Sequence, residues 1–541
     1  MTKLKMQDTM MQLLAMGHLF FGFAFSQTTT STAAASSTSA WPLQTFITKV
    51  CNLPIIFRKK SSCGIFTNRK ALKPDLKVPW FLISEPGEPT PGYIFLNTDT
   101  NGVLDENLIA TIITNEGQLV WSAGQTGTTD VSLQTYAGEN VIVYWEGVLS
   151  GVIGRGYGSV IILNTNYEVL YNVSLTEDIF YPDGTLASYI DAHEAQISAD
   201  NTLLVSAYNV TQADLTSVGY TEQSWILDSV VFEIDVATNE VLWSWAASDH
   251  TDQLPFTDSH YPVLSAPTDD EDWWDWFHIN AIEEYGEGYL ISSRHLWSVI
   301  YISKSTGEVI WRLDGKDGGN FTLPAEADFK WQHDPRVLST SDSGLTITLF
   351  NNNNFEYGKL LKSNTSTGLE IALDTTTWTA TLNADYYDPD DTITTVAQGS
   401  YQTLPDGHVL LDYGLQPQMI EYDADGTVAW SAVWGIVGQG SYRGLKANFT
   451  GTPHYGPDLA VTQNPNGTFT AYMSWNGATH YSSWSVHGCG ASGSVQVVRT
   501  GFETSYTGTC SKTVQAKALD SNGAVMGTSQ SVIAGSSERL A

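Results

Sequence analysis

One short motif recurs along the chain and limits its fold more than any other feature: a strand, a turn, and a second strand ending in tryptophan. It reads EGQLVWS around Trp121, NEVLWSW around Trp243, GEVIWRL around Trp311 and DGTVAWS around Trp430. NYEVLYN puts Tyr171 in the tryptophan position, and LDTTTWTATL around Trp378 supplies a degenerate sixth copy. Successive copies lie 50 to 72 residues apart. Each is preceded by a strand such as VVFEID (Val230 to Asp235), VIYIS (Val299 to Ser303) or QMIEYD (Gln418 to Asp423), with another apolar strand upstream. A unit of about four short antiparallel strands cannot bury both faces alone. Radial stacking of such units does so and leaves only short edges. The pattern predicts an all-β chain with a six-bladed β-propeller over residues 85–454. The unit is too long for one coil of a β-helix.

Beyond the repeats, TAYMSWNGATHYSSWSVHG, VRTGFETSY and TVQAKALDSNGAVMGTS read as strands of a C-terminal fibronectin type III-like β-sandwich over 455–541, with Trp475 and Trp484 in its core. Composition agrees: charged residues are only 15 %, aromatics reach 12 %, and long amphipathic helical patterns are scarce.

The N-terminus reads as export machinery. Lys3 and Lys5 precede an apolar run from Met10 to Phe25, and Ala24-Phe25-Ser26 fits a cleavage site, so residues 1–26 are expected to be a signal peptide. Residues 27–84 form a low-complexity and then basic segment with little expected order. Six sequons, at Asn172, Asn209, Asn320, Asn364, Asn448 and Asn466, fit a secreted glycoprotein. Cys489 and Cys510 are close enough in sequence to form a disulfide in an oxidising compartment, and Cys51 with Cys63 is a second candidate pair. No stretch suggests a stable membrane span. The net charge of −33 argues against nucleic acid and acidic membranes as partners. An anionic substrate would need local cations to overcome that field.

The Gly154-Arg155-Gly156-Tyr157-Gly158 run is no nucleotide-binding fingerprint and reads as a turn, and His193-Glu194 lacks the second histidine of a zinc-protease helix. The informative residues are three histidines in DAHEAQIS (His193), DWFHINAI (His278) and WQHDPRV (His333). Each starts the first strand of a successive blade. In a propeller those strands line the central channel, so residues far apart in sequence can meet around one ligand. Asn280 shares the face of His278, and Arg294 in ISSRHLW is expected on the second strand of that blade. A pairing with Asp275 is its structural alternative. His295 is expected to point away from Arg294. Three imidazoles, an amide and a guanidinium suit a tetrahedral oxyanion such as a sulfuryl group. Trp276, Phe277 and Trp331 would stack on an aryl ring or pack between blades.

WFHINAI, ISSRH and WQHD, set on blades that end in tryptophan, resemble the PAPS-independent arylsulfotransferases, their fungal secreted branch most. The resemblance covers most of 85–541 and is most specific from Asp191 to Arg336. It implies transfer of a sulfuryl group between phenolic compounds through a sulfohistidine, with small aromatic substrates and no cofactor. By motif match His333 is the nucleophile. His278, Asn280 and Arg294 would hold the sulfuryl oxygens, and His193 would assist as acid/base or by binding the sulfate. Two departures stand out. The extra module lies at the C-terminus, where the bacterial enzymes carry an N-terminal one. Asp334 directly follows His333, where its carboxylate either raises the imidazole pKa or faces away. Other chemistries fit the same histidines: a zinc-like metal in a hydrolase or lyase, tailoring of a secondary metabolite, or ligand binding without catalysis.

Overall fold

The computed structural model describes residues 79–534, apart from 100–107, 151–154, 177–185, 264, 271, 354–363 and 436–437. The signal peptide, the basic stretch and Cys51 and Cys63 lie outside the described residues. Among the described residues the only helices are four short 3-10 turns; the rest of the regular structure is β.

Six antiparallel sheets follow one another along the chain. Sheet 2 runs from Thr128–Tyr136 to Val169–Val173, sheet 3 from Ala195–Ile197 to Val241–Ala246, and sheet 4 from Ile279–Tyr285 to Val309–Asp314. Sheet 5 runs from His333–Ser341 to Thr379–Tyr386 and sheet 6 from Ser400–Thr403 to Val428–Trp434. Sheet 1 combines both ends of this region: Leu445–Ala447 pairs with Tyr93–Asp99, which continues to Leu119–Ser122. Phe81–Ser84, assigned from the sequence to the N-terminal segment, adds a fifth strand to sheet 6 against Val428–Trp434. Contacts between sheets run from 1 through 6, and Ser400–Thr403 of sheet 6 touches Leu445–Ala447 of sheet 1, so they return to their start.

Every one of the six sheets has a β-bulge at the same place, between its third and fourth strands. The bulge precedes the residue that sequence marks as the repeat tryptophan: Trp243 lies opposite Glu233, Trp311 opposite Tyr301, and Trp430 opposite Glu421. An extra residue twists the outer strand and sets the indole toward the next sheet. Trp243 packs 4.7 Å from Tyr289 of sheet 4 and bonds the carbonyl of Lys304, in the turn between that sheet's third and fourth strands. Trp430 likewise bonds the carbonyl of Asn115 in sheet 1. The sixth repeat is corrected here. Trp378 sits in the turn before Thr379–Tyr386, and Ala384, opposite Glu370, holds the equivalent place.

Residues 458–533 form two further sheets, one of three strands and one of five. Trp475 and Trp484 are both in their common core, and Cys489 is bonded to Cys510. The Asn476 side-chain amide bonds the backbone N–H and carbonyl of Ser122, and the Gly477 N–H donates to the Val120 carbonyl, stitching this unit to sheet 1.

Candidate active site

His193 stands two residues before Ala195–Ile197, His278 directly precedes Ile279–Tyr285, and His333 opens His333–Ser341. These are the first strands of sheets 3, 4 and 5, and all three imidazoles are buried. The His193 and His278 rings meet edge to face at 4.9 Å. The backbone around them is unusual: His278, Trp331 and Asp334 have φ of 55°, 57° and 54°. Non-glycine residues avoid this region at a cost of about 1–2 kcal/mol each, so the surrounding packing imposes these turns.

Two of the histidines belong to carboxylate dyads. The Nδ1–H of His193 donates to Asp191 at 2.5 Å, and that of His278 donates to Asp275 at 2.7 Å. In each ring the bond fixes the tautomer and leaves the Nε2 lone pair available. Burial alone would raise Asp275, but the facing His278 and His295 outweigh it and bring its pKa down to about 2. Burial lowers His278 despite the pull of Asp275, keeping that ring neutral at pH 7.

His333 is held differently. Its Nδ1 donates to the Asn352 side-chain oxygen at 2.6 Å, and its Nε2 accepts the backbone N–H of Gln398 at 3.1 Å. Burial and the charge of Arg294 hold its pKa well below 6.5. Asp334 does not act on this ring through a contact. Its carboxylate accepts from Arg336 at 2.9 Å and lies 3.1 Å from the Arg443 Nε.

Arg294 lies just past Gly288–Ser293 rather than on it. It is not paired with Asp275: it donates to the Val396 carbonyl at 2.9 Å and packs over Trp331 at 4.9 Å. Because the strand has ended, side-chain alternation fails and His295 does not point away. It donates from Nδ1 to the Asp275 carbonyl at 2.6 Å, its Nε2 lies 3.1 Å from Arg294, and its ring is 4.7 Å from His278. Asp275, His278 and His295 offer ligand atoms within 4.8 Å of one another, a set that could hold a metal ion. Asn280 is fully buried and donates to the Gln332 carbonyl at 2.7 Å. It ties the His278 strand to the residue before His333. Trp276, Phe277 and Trp331 are all fully buried, so they pack between sheets.

The part that sequence reasoning missed lies beneath the histidines. Arg443, two residues before Leu445–Ala447, bonds Asp130 of sheet 2 at 3.0 Å and Glu194 at 3.1 Å, besides reaching Asp334 and the Asn280 carbonyl. Tyr442 donates to the carbonyls of His193 and Asn280. One buried cation thus links the first strands of sheets 1, 2, 4 and 5 and Glu194, just ahead of the first strand of sheet 3. Its signal in sequence is positional: SYRG stands at the start of its first strand as AHE and QHD stand at theirs.

The model of the arylsulfotransferase (ASST) family matches residues 132–435, more than half of the chain and all of the histidine cluster. The chain belongs to this family. Solved structures with likeness to this chain include a Bacteroides caccae protein of unknown function, at 12 % identity, TM-score 0.38, covering 66 % of this chain and 100 % of that one. A streptogramin B lyase follows at 8 % identity, TM-score 0.27, with 72 % and 94 % covered. The GH43 protein BlXynB from Bacillus licheniformis shows 10 % identity, TM-score 0.31, with 76 % and 96 % covered. No curated protein matches the sequence.

Proposed function

We infer that this protein is a secreted, PAPS-independent arylsulfotransferase that passes a sulfuryl group between phenols through sulfo-His333, on a six-bladed propeller with a C-terminal fibronectin type III-like sandwich. The observation that carries the reading is the state of His333: a buried imidazole whose Nδ1 is committed to Asn352 and whose unprotonated Nε2 is the nucleophilic atom. Nε2 attacks the sulfur of an aryl sulfate, the N–S bond forms, the S–O bond breaks and phenoxide leaves. The Gln398 N–H, released from Nε2, and Arg294 donate to the sulfuryl oxygens. In the second step a phenol gives its proton to the Nε2 of a dyad histidine, His278 or His193, as its oxygen attacks sulfur and the N–S bond breaks. That proton returns to the departed phenoxide, so the cycle balances. Asn280 acts by positioning the His333 segment. The exposed sequon residues Asn172, Asn320, Asn448 and Asn466 are the better glycan sites, since Asn209 and Asn364 are half-buried.

The test is intact mass after brief exposure to 4-nitrophenyl sulfate. One added sulfuryl group is expected on the wild type and none on His333→Ala; addition that persists in the variant sinks the scheme. The Asp275, His278 and His295 cluster supports one other reading, a metal-assisted hydrolase. Stoichiometric metal in purified protein, with activity lost on chelation, would favour it.

A further inference from the structure

Arg155 was read from sequence as part of a glycine-rich turn. It opens the strand Arg155–Asn164 of sheet 2 instead. The next residue, Gly156, donates its N–H to Asp191 at 2.7 Å, the same carboxylate that holds His193. The Arg155 side chain lies 5.8 Å over the ring of Tyr157 on its own strand and reaches to 4.3 Å over the ring of Trp273, two residues before Asp275. Its backbone is therefore anchored on one Asp–His dyad while its guanidinium rests on the segment that carries the other. Its charge is felt there, acting on both Asp275 and Tyr208.

The Nε and Nη1 of Arg155 are buried and have no hydrogen-bond partner among the described residues. The two terminal nitrogens of Arg294, by contrast, are engaged: Nη1 by His295 and Nη2 by the Val396 carbonyl. Buried guanidinium hydrogens without acceptors are costly, and the cost is recovered when an oxygen anion meets them. The planar fork matches the oxygens of sulfate or carboxylate. The indole beneath it offers an apolar face on which an aromatic ring can lie.

We propose that Arg155, on its Trp273 platform, is a second oxyanion-binding residue of this site and selects aromatic substrates that carry an anionic group. The proposal deepens the sulfotransferase reading and rests on it. The oxyanion is either the sulfate ester of the donor or a carboxylate on the acceptor ring. Titration calorimetry with 4-nitrophenyl sulfate, 4-hydroxybenzoate and neutral 4-methylphenol distinguishes these sources, using wild type, Arg155→Gln and Arg155→Lys. All three proteins carry His333→Ala as well, so that the donor binds without transferring its sulfuryl group and the heats report binding alone. Arg155→Gln is expected to weaken one anion, or both, at least tenfold. The neutral phenol should bind unchanged, and Arg155→Lys should recover part of the loss. Loss confined to the sulfate ester identifies the donor as the source, and loss confined to the benzoate identifies the acceptor. Equal anion affinity in Arg155→Gln and wild type overturns the proposal, as does a parallel loss of 4-methylphenol. Failure of the sulfotransferase reading shows itself separately, as absence of sulfuryl addition to the wild type.

Discussion

At the scale of single residues, the proposed chemistry turns on the state of His333, which its bond to Asn352 helps to set. A neutral amide oxygen at Nδ1 fixes the tautomer without stabilising the imidazolium as strongly as a carboxylate would. Burial and Arg294 then keep the ring unprotonated well below pH 6.5. Nucleophilic attack should therefore hold its rate as the pH falls through 6.5 and fail only at lower pH. Asn352→Asp replaces the amide with a carboxylate, favours the charged ring and raises the His333 pKa. The burst of 4-nitrophenoxide release, followed against pH, should then lose amplitude at a higher pH in Asn352→Asp than in wild type. An unmoved acid limb would mean that another group carries the sulfuryl. Asn352 gave no hint of this role in sequence, because it is one of four consecutive asparagines, Asn351 to Asn354, that nothing in the sequence tells apart. Strand alternation predicts that His295 faces away from Arg294, but the strand stops at Ser293 and the alternation stops with it.

At the scale of elements, the first strand of each sheet places the chemistry and the fourth strand builds the wall. The fourth strands were legible because an aromatic residue recurs at the bulge, tryptophan in four sheets and Tyr171 in sheet 2, and the same regularity exposed the one copy without an aromatic there, at Ala384. The first strands were legible only where they begin with histidine. The Arg443 strand was passed over, although its cation is what the acids of the other first strands surround. Arg443 is 4 % exposed and faces Asp130, Glu194 and Asp334. Burial raises Asp130 to about 6 even with the arginine beside it. Arg443→Met removes the countercharge and leaves buried carboxylates without it, a loss of about 3–5 kcal/mol by analogy with other broken buried pairs. The sign of the pH effect follows. Without the arginine these carboxylates have raised folded-state pKa values, so the stability they contribute in acid is lost as pH rises. The urea midpoint of Arg443→Met should fall below that of wild type at pH 8, and the gap should narrow toward pH 5. A gap that widens in acid would show that the carboxylates are not the cause.

At the scale of the whole molecule, the proposed chemistry works against the protein's own field. The net charge is −33, and an aryl sulfate is an anion. Arg155 and Arg294 are local cations at the histidine cluster, but neither reaches far in water. Their attraction acts over a few ångströms inside a partly desolvated site, whereas the repulsion of the surface acids acts over the whole approach. Salt separates the two. The screening length shortens from about 30 Å at 0.01 M to about 8 Å at 0.15 M, and buried charges are screened much less than exposed ones. Added salt should therefore remove more repulsion than attraction. The value of kcat/KM for 4-nitrophenyl sulfate is expected to rise several-fold as sodium chloride goes from about 10 to 150 mM. Neutral phenol acceptors feel no such field, so their KM should stay nearly constant over the same range. A fall in kcat/KM with salt would mean that the cations at the site outweigh the surface acids along the approach path. The excess acid would then have no part in substrate capture.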